Sequence, residues 1–497
     1  MKRYVLGIDQ STQGTKALLF DREGALLCRT DLPHEQIIDE RGWVEHNPDE
    51  IYKNTIQAVK NLVEKAGIDK EEIAVLGISN QRETAMVWDR KTGLPVYNAV
   101  VWQCARGEKI CERLAQDPAV PEMVRQRTGL QLSPYFSAAK IAWVLENVEG
   151  AREKNEAGTL GCGTMDSWLV YKLTKGERFQ TDYSNASRTQ LFNIRTLSWD
   201  PDICRLFGVN PDCLAQVTDS DGDFGVTDFE GFLDTPIPIC GVLGDSHGAL
   251  FGQGCLEKGM IKTTYGTGSS IMMNIGDTPV FSDLGVVTSL AWSMGGKVNY
   301  VLEGNINYTG AVITWLQKDL KLIESAGETE SLAKSANPAD KTYLVPAFTG
   351  LGAPYWDSNA TAVICGITRT TGQAEVVRAG LDCIAYQITD IVRAMSQASG
   401  IPIAELRVDG GPTRNGYLMQ FQSDMLGIPV QIPDAEELSG IGAAYAAGLS
   451  AGIYDKEIFG RMKRRAYQPE MEAAVREEKY AGWKKAVGMV LTKSAAE

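Results

Sequence analysis

YVLGIDQSTQGTKALLFD, from Tyr4 to Asp21, holds an apolar run (Tyr4–Ile8), a polar loop (Asp9–Lys16) and a second apolar run (Ala17–Phe20). A turn, Asp21–Gly24, and a third apolar run, Ala25–Cys28, follow. No run is long enough for a helix, so the pattern predicts strand, turn, strand, turn, strand. The first loop is long and rich in hydroxyls where two residues would suffice for a hairpin. Its backbone amides and hydroxyls can wrap a phosphate, and Lys16 can neutralise its charge. Asp9, at the mouth of the first strand, can hold magnesium directly or through water. Alone, such a loop reads first as an ordinary hairpin with a soluble turn. A similar one recurs at Met260–Ile275, where Gly266-Thr267-Gly268-Ser269 separates two strands. Two phosphate-type hairpins, each near the start of half the chain, predict a duplicated domain with a nucleotide between the halves.

A chain of 497 residues exceeds a single core, and two domains of about 250 residues are expected. We place them at 1–249 and 250–497. The apolar fraction of 44% and charged fraction of 23% are those of a globular protein. A net charge of −14 without a long basic run speaks against nucleic acid and anionic membranes as partners. Ten scattered cysteines, with no CxxC pair, predict reduced cytoplasmic thiols, not a disulfide frame or a zinc site. The N-terminus runs straight into a strand, so no signal peptide is expected. Gly440–Ile453 is too short to span a bilayer. Its small residues suit a helix pressed tightly against a sheet.

Asn47, Pro48, Asp49 and Glu50 start a helix whose apolar face includes Ile51, Ile56, Val59 and Leu62, and Gly67 ends it. Strands at Ile73–Ser79 and Ala99–Trp102 deliver Arg82, Glu83 and Trp102 just past their carboxyl ends, where open α/β sheets place ligands. Arg82 donates and Glu83 accepts, so together they can grip vicinal hydroxyls. Trp102 can cover the carbon face of a small polyol. Equally, these residues read as a surface ion pair and a core tryptophan. Tyr135–Asn147 and Asp166–Thr174 read as helices, and Thr181–Thr189 as a polar loop.

Ile237–Leu243 reads as a strand, Gly244–His247 as a sharp turn, and Gly248 onward as a helix. Gly244-Asp245-Ser246-His247-Gly248 matches the G-x-S-x-G nucleophile elbow. A hydrolase of that type needs a histidine after the serine in chain order. His34 and His46 precede it and His247 adjoins it, which speaks strongly against a hydrolase. Asp245 is the better candidate: a carboxylate at a helix start can take the proton of an attacking hydroxyl. The competing role is a plain helix cap. In the second half, helices are expected at about Gly310–Leu322 and Ala374–Ala398. Leu406–Val408 delivers Asp409-Gly410-Gly411-Pro412-Thr413-Arg414-Asn415, whose paired glycines let a flat base or ribose approach. A charged C-terminal helix, about Glu472–Leu491, is expected on the outside.

GIDQST, SNQRET, GWVEHNP, YFSAAKIAW, TDYSNASRT, TYGTG, VPAFTGLGAPYWD, RVDGG and FQSD together resemble the FGGY carbohydrate kinases, most closely the glycerol kinase branch. The resemblance runs nearly end to end. It implies an α/β actin-like ATPase fold of two RNase-H-like domains, with MgATP and polyol in the cleft. The implied reaction is in-line phosphoryl transfer to a terminal hydroxyl. By position, Asp245 resembles the general base and a metal-linked carboxylate, as does Asp9 for the metal. Arg82, Glu83, Trp102 and Tyr135 match the polyol pocket. Thr12, Gln13 and Lys16 fall at the first phosphate loop, Thr267 and Gly310 at the second, and Gly411 and Asn415 near the adenosine.

Three departures stand out. Ser246-His247 replaces the usual Gln-Gln, Ser270 replaces a phenylalanine, and Lys16 replaces an arginine. Small hydroxyls at Ser246 and Ser270 predict more room and more hydrogen bonding, suiting a four- or five-carbon polyol or ketose. Phe229–Pro238 lacks the inhibitory Gly-x-Arg arrangement, so no inhibition by fructose bisphosphate is expected. A homo-oligomer, dimer or tetramer, is expected. An actin-like ATPase without an acceptor would share the hairpins but not the pocket. No GxxxxGK[ST] occurs, which speaks against a classical P-loop.

Overall fold

The structure, a computed structural model, describes residues 3–492. The N-terminal meander is present, with longer strands and a tighter turn than the sequence suggests. Strands β1 (Tyr4–Gln10), β2 (Gly14–Phe20) and β3 (Leu26–Pro33) pair antiparallel in succession. The turn shrinks to residues 11–13, because Asp9 pairs with Lys16 and Gln10 with Thr15 in the ladder. The backbone of the polar run is thus consumed by the sheet. Strand β4 (Ile73–Asn80) lies parallel to β1; β5 (Val226–Thr227) and β6 (Ile237–Gly244) complete the order β5-β6-β4-β1-β2-β3. Helix α1 (Pro48–Ala66) packs on β2 and β3, with Asn47 capping its start and Gly67 its end, as expected.

The second half repeats this plan. Strands β7 (Ile261–Tyr265), β8 (Ser269–Gly276), β9 (Val287–Met294), β10 (Lys297–Ile306), β11 (Leu406–Gly410), β12 (Val430–Pro433) and β13 (Arg464–Tyr467) take the order β9-β10-β8-β7-β11-β12-β13. In each sheet antiparallel strands lie on one side of a first strand (β1-β2-β3, and β7-β8-β10 with β9 added at the edge) and two strands parallel to that first strand lie on the other. That is the duplicated RNase-H-like arrangement the resemblance implies.

Helix α2 (Asp245–Gly252) starts directly where β6 ends, so the expected separate turn is missing. Helices α3 (Gly310–Lys318) and α4 (Gln373–Ser399) follow, α4 lying against β8 and β10. Helix α5 (Gly416–Leu426) precedes α6 (Leu438–Ser450). Although α6 belongs to the second half of the chain, it lies across β1, β4 and β6 and against α2. Small residues permit this. A Cβ on Gly77 would stand 2.2 Å from the Ala443 carbonyl oxygen, and one on Gly442 1.8 Å from that of Gly248.

Two further expectations change. The polar stretch Thr181–Thr189 is not an open loop: it holds the end of a strand (Gln180–Asp182) and a helical turn (Tyr183–Ala186), and is almost wholly buried. Its polar groups satisfy one another, Asp182 accepting from the Ser184 and Asn185 amides and the Ser220 hydroxyl. Helix α7 (Ala473–Gly488) carries charge outward but inserts Trp483 into the core, stacked on Tyr386 with ring centroids 5.3 Å apart. Its indole N–H donates to Asp390 at 2.7 Å, which a purely external helix would not do. Among the described residues no helix is long and apolar enough to cross a membrane.

Candidate active site between the halves

Arg82 follows β4 and reaches across to the other half of the chain. Its Nη1 and Nη2 hold the two oxygens of Glu303 on β10 at 2.9 and 3.0 Å. Its Nε stands 3.2 Å from Asp245 Oδ1. Arg188, from the buried polar stretch, donates its Nε to Glu83 at 2.6 Å and lies 2.9 Å from Glu303. Arg82, Glu83, Arg188 and Glu303 are all at least 95% buried, so only their mutual pairing makes the charges tolerable. Burial alone would raise the Glu303 carboxyl, but Arg188 and Arg82 outweigh it and hold it well below the usual range. The sequence suggested a single Arg82–Glu83 clasp. Instead each has its own partner, and their closest approach is 3.9 Å. Glu83 takes a left-handed backbone with φ 58°, and its carbonyl accepts the Ser137 hydroxyl at 3.1 Å.

Glu303 and Arg188 were absent from the sequence-derived set. The available signal was a lone carboxylate inside the apolar strand Val301-Leu302-Glu303, and an arginine in a stretch read as solvated.

Asp245 is the first residue of α2 and about a third exposed. Its Oδ1 accepts the Ser246 amide at 2.6 Å. The base candidate thus sits at a helix start, aimed by the Arg82 guanidinium. Nearby, Trp102 and Tyr135 meet edge to face at 5.7 Å. Lys140 is fully buried and donates to the carbonyls of Pro134 and Phe136 at 2.7 and 3.1 Å and to that of Tyr135, fixing the loop that carries Tyr135. Strand register puts Thr264 opposite Ser270, and Ser270 opposite Asn305. Two residues along, Lys262, Met272 and Glu303 are aligned on the same face. Met272 packs with Ala249 and Leu250 of α2, so this face looks toward Asp245. Ser270 Oγ and both ring nitrogens of His247 are buried there without a hydrogen-bond partner among the described residues. Burial and the neighbouring Arg82 keep the His247 imidazole neutral.

Of the seven nucleotide-type residues, Lys16, Gly310, Gly411 and Asn415 line two adjoining cavities, and Thr12, Gln13 and Thr267 line neither. One, of about 460 Å³, is lined by Gly310, Gly411 and Asn415 over an apolar floor that includes Ile313 and Leu381. The other, of about 500 Å³, contains Asp9 and Lys16. Gly411 and Arg414 line both, making one trough. A Cβ on Gly411 would meet nothing within 4 Å, whereas one on Gly410 would stand 1.9 Å from the Tyr265 carbonyl oxygen. Of the glycine pair, then, the fold demands Gly410 and leaves Gly411 open to a ligand. Asn415 spends its side chain on structure, accepting the Leu418 amide and donating to Thr329, both at 3.0 Å. Lys16 is not free either: it holds Glu437 at 2.6 Å and lies 3.5 Å from Asp9. Gln13 is exposed at the hairpin tip, and Thr12 accepts the Trp102 indole N–H at 3.0 Å. The Thr267 carbonyl accepts from the amides of Thr309 and Ala311 at the start of α3.

Asp9 is 4% exposed and accepts the Ser79 hydroxyl at 3.0 Å. Burial pushes its carboxyl up to about 6, against the pull of Lys16. Among the described residues no three acidic, His or Cys side chains gather as a ready metal cage. A hard oxygen donor at the phosphate end of the trough suits magnesium, which keeps waters and substrate phosphates as its other ligands.

The N-terminal domain of the FGGY family of carbohydrate kinases matches residues 4–252, and the family's C-terminal domain residues 261–451. The chain belongs to the FGGY family of carbohydrate kinases. Glycerol kinase 1 of Thermotoga maritima is 49% identical over 492 residues, covering 98% of this chain and all of that one. Among solved structures, Plasmodium falciparum glycerol kinase with ADP superposes with a TM-score of 0.92 at 36% identity, covering 99% of this chain and 98% of that one. A ligand-bound xylulose kinase from Lactobacillus acidophilus has a TM-score of 0.84 at 19% identity, over 98% of this chain and 96% of that one, which speaks to the fold alone. As an FGGY kinase the protein is an ATP-dependent phosphotransferase. The actin-like fold that the resemblance implies is the family's own.

Proposed function

We propose that this kinase transfers the terminal phosphoryl group of ATP to a terminal hydroxyl of glycerol or a closely related polyol. The observation that carries this is the Asp245–Arg82–Glu303 alignment, a third-exposed carboxylate aimed by a buried, fully paired guanidinium. Near-full-length similarity to glycerol kinases supports the choice of acceptor. Asp245 takes the proton of the attacking hydroxyl as that oxygen approaches phosphorus. Arg82 and Glu83 orient the hydroxyls, and Trp102 and Tyr135 exclude water from the carbon face. Thr12, Gln13, Lys16, Thr267 and Gly310 steady the phosphates, with Gly411 and Asn415 at the adenosine. Asp9, with Asp245, would hold magnesium, which when bound neutralises charge on the phosphate oxygens. Residues 1–249 would supply most of the polyol side together with the first phosphate hairpin, and 250–497 the adenosine side and the second. A cytoplasmic homo-oligomer, dimer or tetramer, completes the proposal; ten unpaired cysteines support the compartment.

A second acceptor class has an observation of its own. Ser270 Oγ and the His247 nitrogens are buried polar atoms in want of partners, which the hydroxyls of a four- or five-carbon polyol or ketose can supply. ADP release with glycerol, erythritol, ribitol, xylitol and xylulose separates the two. A kcat/KM optimum at glycerol supports the first, an optimum at a longer acceptor the second, and no stimulation by any of them defeats both.

A further inference from the structure

A closed ring of hydrogen bonds joins the phosphate hairpin to the wall of the acceptor pocket. The Thr12 carbonyl accepts from Gln36 Nε2 at 2.6 Å, and Gln36 Oε1 faces His46 Nε2 at 2.8 Å. His46 Nδ1 faces Gln81 Nε2 at 3.2 Å, and Gln81 Oε1 accepts the Thr84 hydroxyl at 2.8 Å. The Thr84 oxygen accepts the backbone N–H of Trp102 at 3.2 Å, and the Trp102 indole N–H returns to the Thr12 hydroxyl at 3.0 Å.

From Trp102 through Thr84, Gln81, His46 and Gln36 every bond donates toward Thr12, which also accepts the Trp102 indole N–H directly. Gln36 gives its amide N–H to Thr12, so its oxygen is left for His46, whose Nε2 must carry the proton. Nδ1 must then accept, and Gln81 must turn its amide nitrogen toward it. The second N–H of Gln81 goes to Gln10 Oε1 at 3.1 Å, which fixes that amide independently. Burial, helped by His34, pushes His46 down to about 3, so the ring is neutral at working pH. His46, Gln81 and Thr84 are completely buried. Solvent therefore cannot stand in for any of these three, and a half-broken polar circuit is costly.

We infer that His46, through Gln36 and Gln81, is a positioning residue that ties Thr12 on the phosphate hairpin to Trp102 beside the acceptor, so that filling either site steadies the other. This rests on the assignment of the two sites proposed above.

The test compares the parent with His46→Phe, which keeps a ring but no nitrogens, and with Gln36→Leu. Binding of a non-hydrolysable ATP analogue with magnesium is measured by calorimetry with and without saturating acceptor. The parent is expected to show a gain of about tenfold, the usual scale of coupling between sites. Both variants are expected to lose it to within about twofold, the double variant behaving like either single one. Their kcat with both substrates saturating is expected to stay above about a third of the parent value, since no reacting group is touched. Gln36 is only half buried, so Gln36→Leu carries the test if the buried replacement fails to fold. Variants that lose thermal stability yet keep the coupling overturn the inference, as does a parent that phosphorylates polyol but shows no coupling. A parent that phosphorylates no polyol overturns the functional reading and this one with it.

Discussion

Asp245 is where the chemistry concentrates, yet its aim depends on neighbours that never touch the acceptor proton. Asp245→Asn keeps the shape and the Arg82 contact but removes the base, so kcat is expected to fall about 10²- to 10⁴-fold with nucleotide affinity retained. A steady-state assay alongside a nucleotide titration checks this; unchanged turnover would refute the assignment. Glu303→Gln tests the support behind it. Two buried guanidiniums would then face a neutral amide, and breaking a buried pair costs about 3–5 kcal/mol. Chemical denaturation should show that loss, with a rise in acceptor KM as Arg82 is released. Asp9 makes pH visible. Its carboxyl, raised to about 6 by burial, must be ionised to hold magnesium, so kcat/KM for MgATP should fall as pH drops through about 6. More magnesium should move that limb to lower pH, and a flat profile between 5 and 7 would argue against Asp9. The effect of Asp9 on folding has the opposite sign. Below about 4 the proton is bound in both states; as pH rises through about 6 the native carboxyl must ionise while buried, and that part of the stability is lost.

At the scale of elements, the two helices between the halves meet backbone to backbone. Gly442→Ala places a methyl 1.8 Å from the Gly248 carbonyl oxygen, and neither helix can yield without shifting Asp245 three residues upstream of Gly248. A loss of about 1–3 kcal/mol or more is expected from such overpacking, with reduced kcat. Gly460→Ala, where the added methyl meets nothing within 4 Å, is the control. Elements of this kind were legible where the signal is local. The Asn47 cap, Pro48 and Gly67 bound α1 to the residue, and the small residues of Gly440–Ile453 foretold tight helix packing. What could not be read was anything set by distant pairing. The ladder draws Asp9–Gln10 and Gly14–Lys16 out of the expected loop. Glu437, some four hundred residues away, claims Lys16. Arg188 and Glu303 looked like loop and strand residues because their partners lie 105 and 221 positions off in Glu83 and Arg82.

Across the whole molecule, the Arg82–Glu303 pair fastens the floor of the cleft while the trough above stays open. Closure over both substrates is expected, since water left in the cleft would take the phosphoryl group. Small-angle scattering should show a smaller radius of gyration with ATP analogue and acceptor together than with either alone; identical radii would count against closure. The stretch Phe229–Pro238 lacks the family's inhibitory arrangement, so millimolar fructose bisphosphate is expected to leave the rate unchanged in a direct assay.

The placement of α6 has a practical outcome for anyone dividing this enzyme. A fragment ending at Gly252 would carry a complete six-stranded sheet with one side stripped bare, because the segment that roofs it is encoded nearly two hundred residues downstream. Such a piece should precipitate when expressed by itself and become soluble when a synthetic peptide spanning 438–450 is added or fused to it. The seam that separates the two lobes in space is therefore not a place where the gene can be cut.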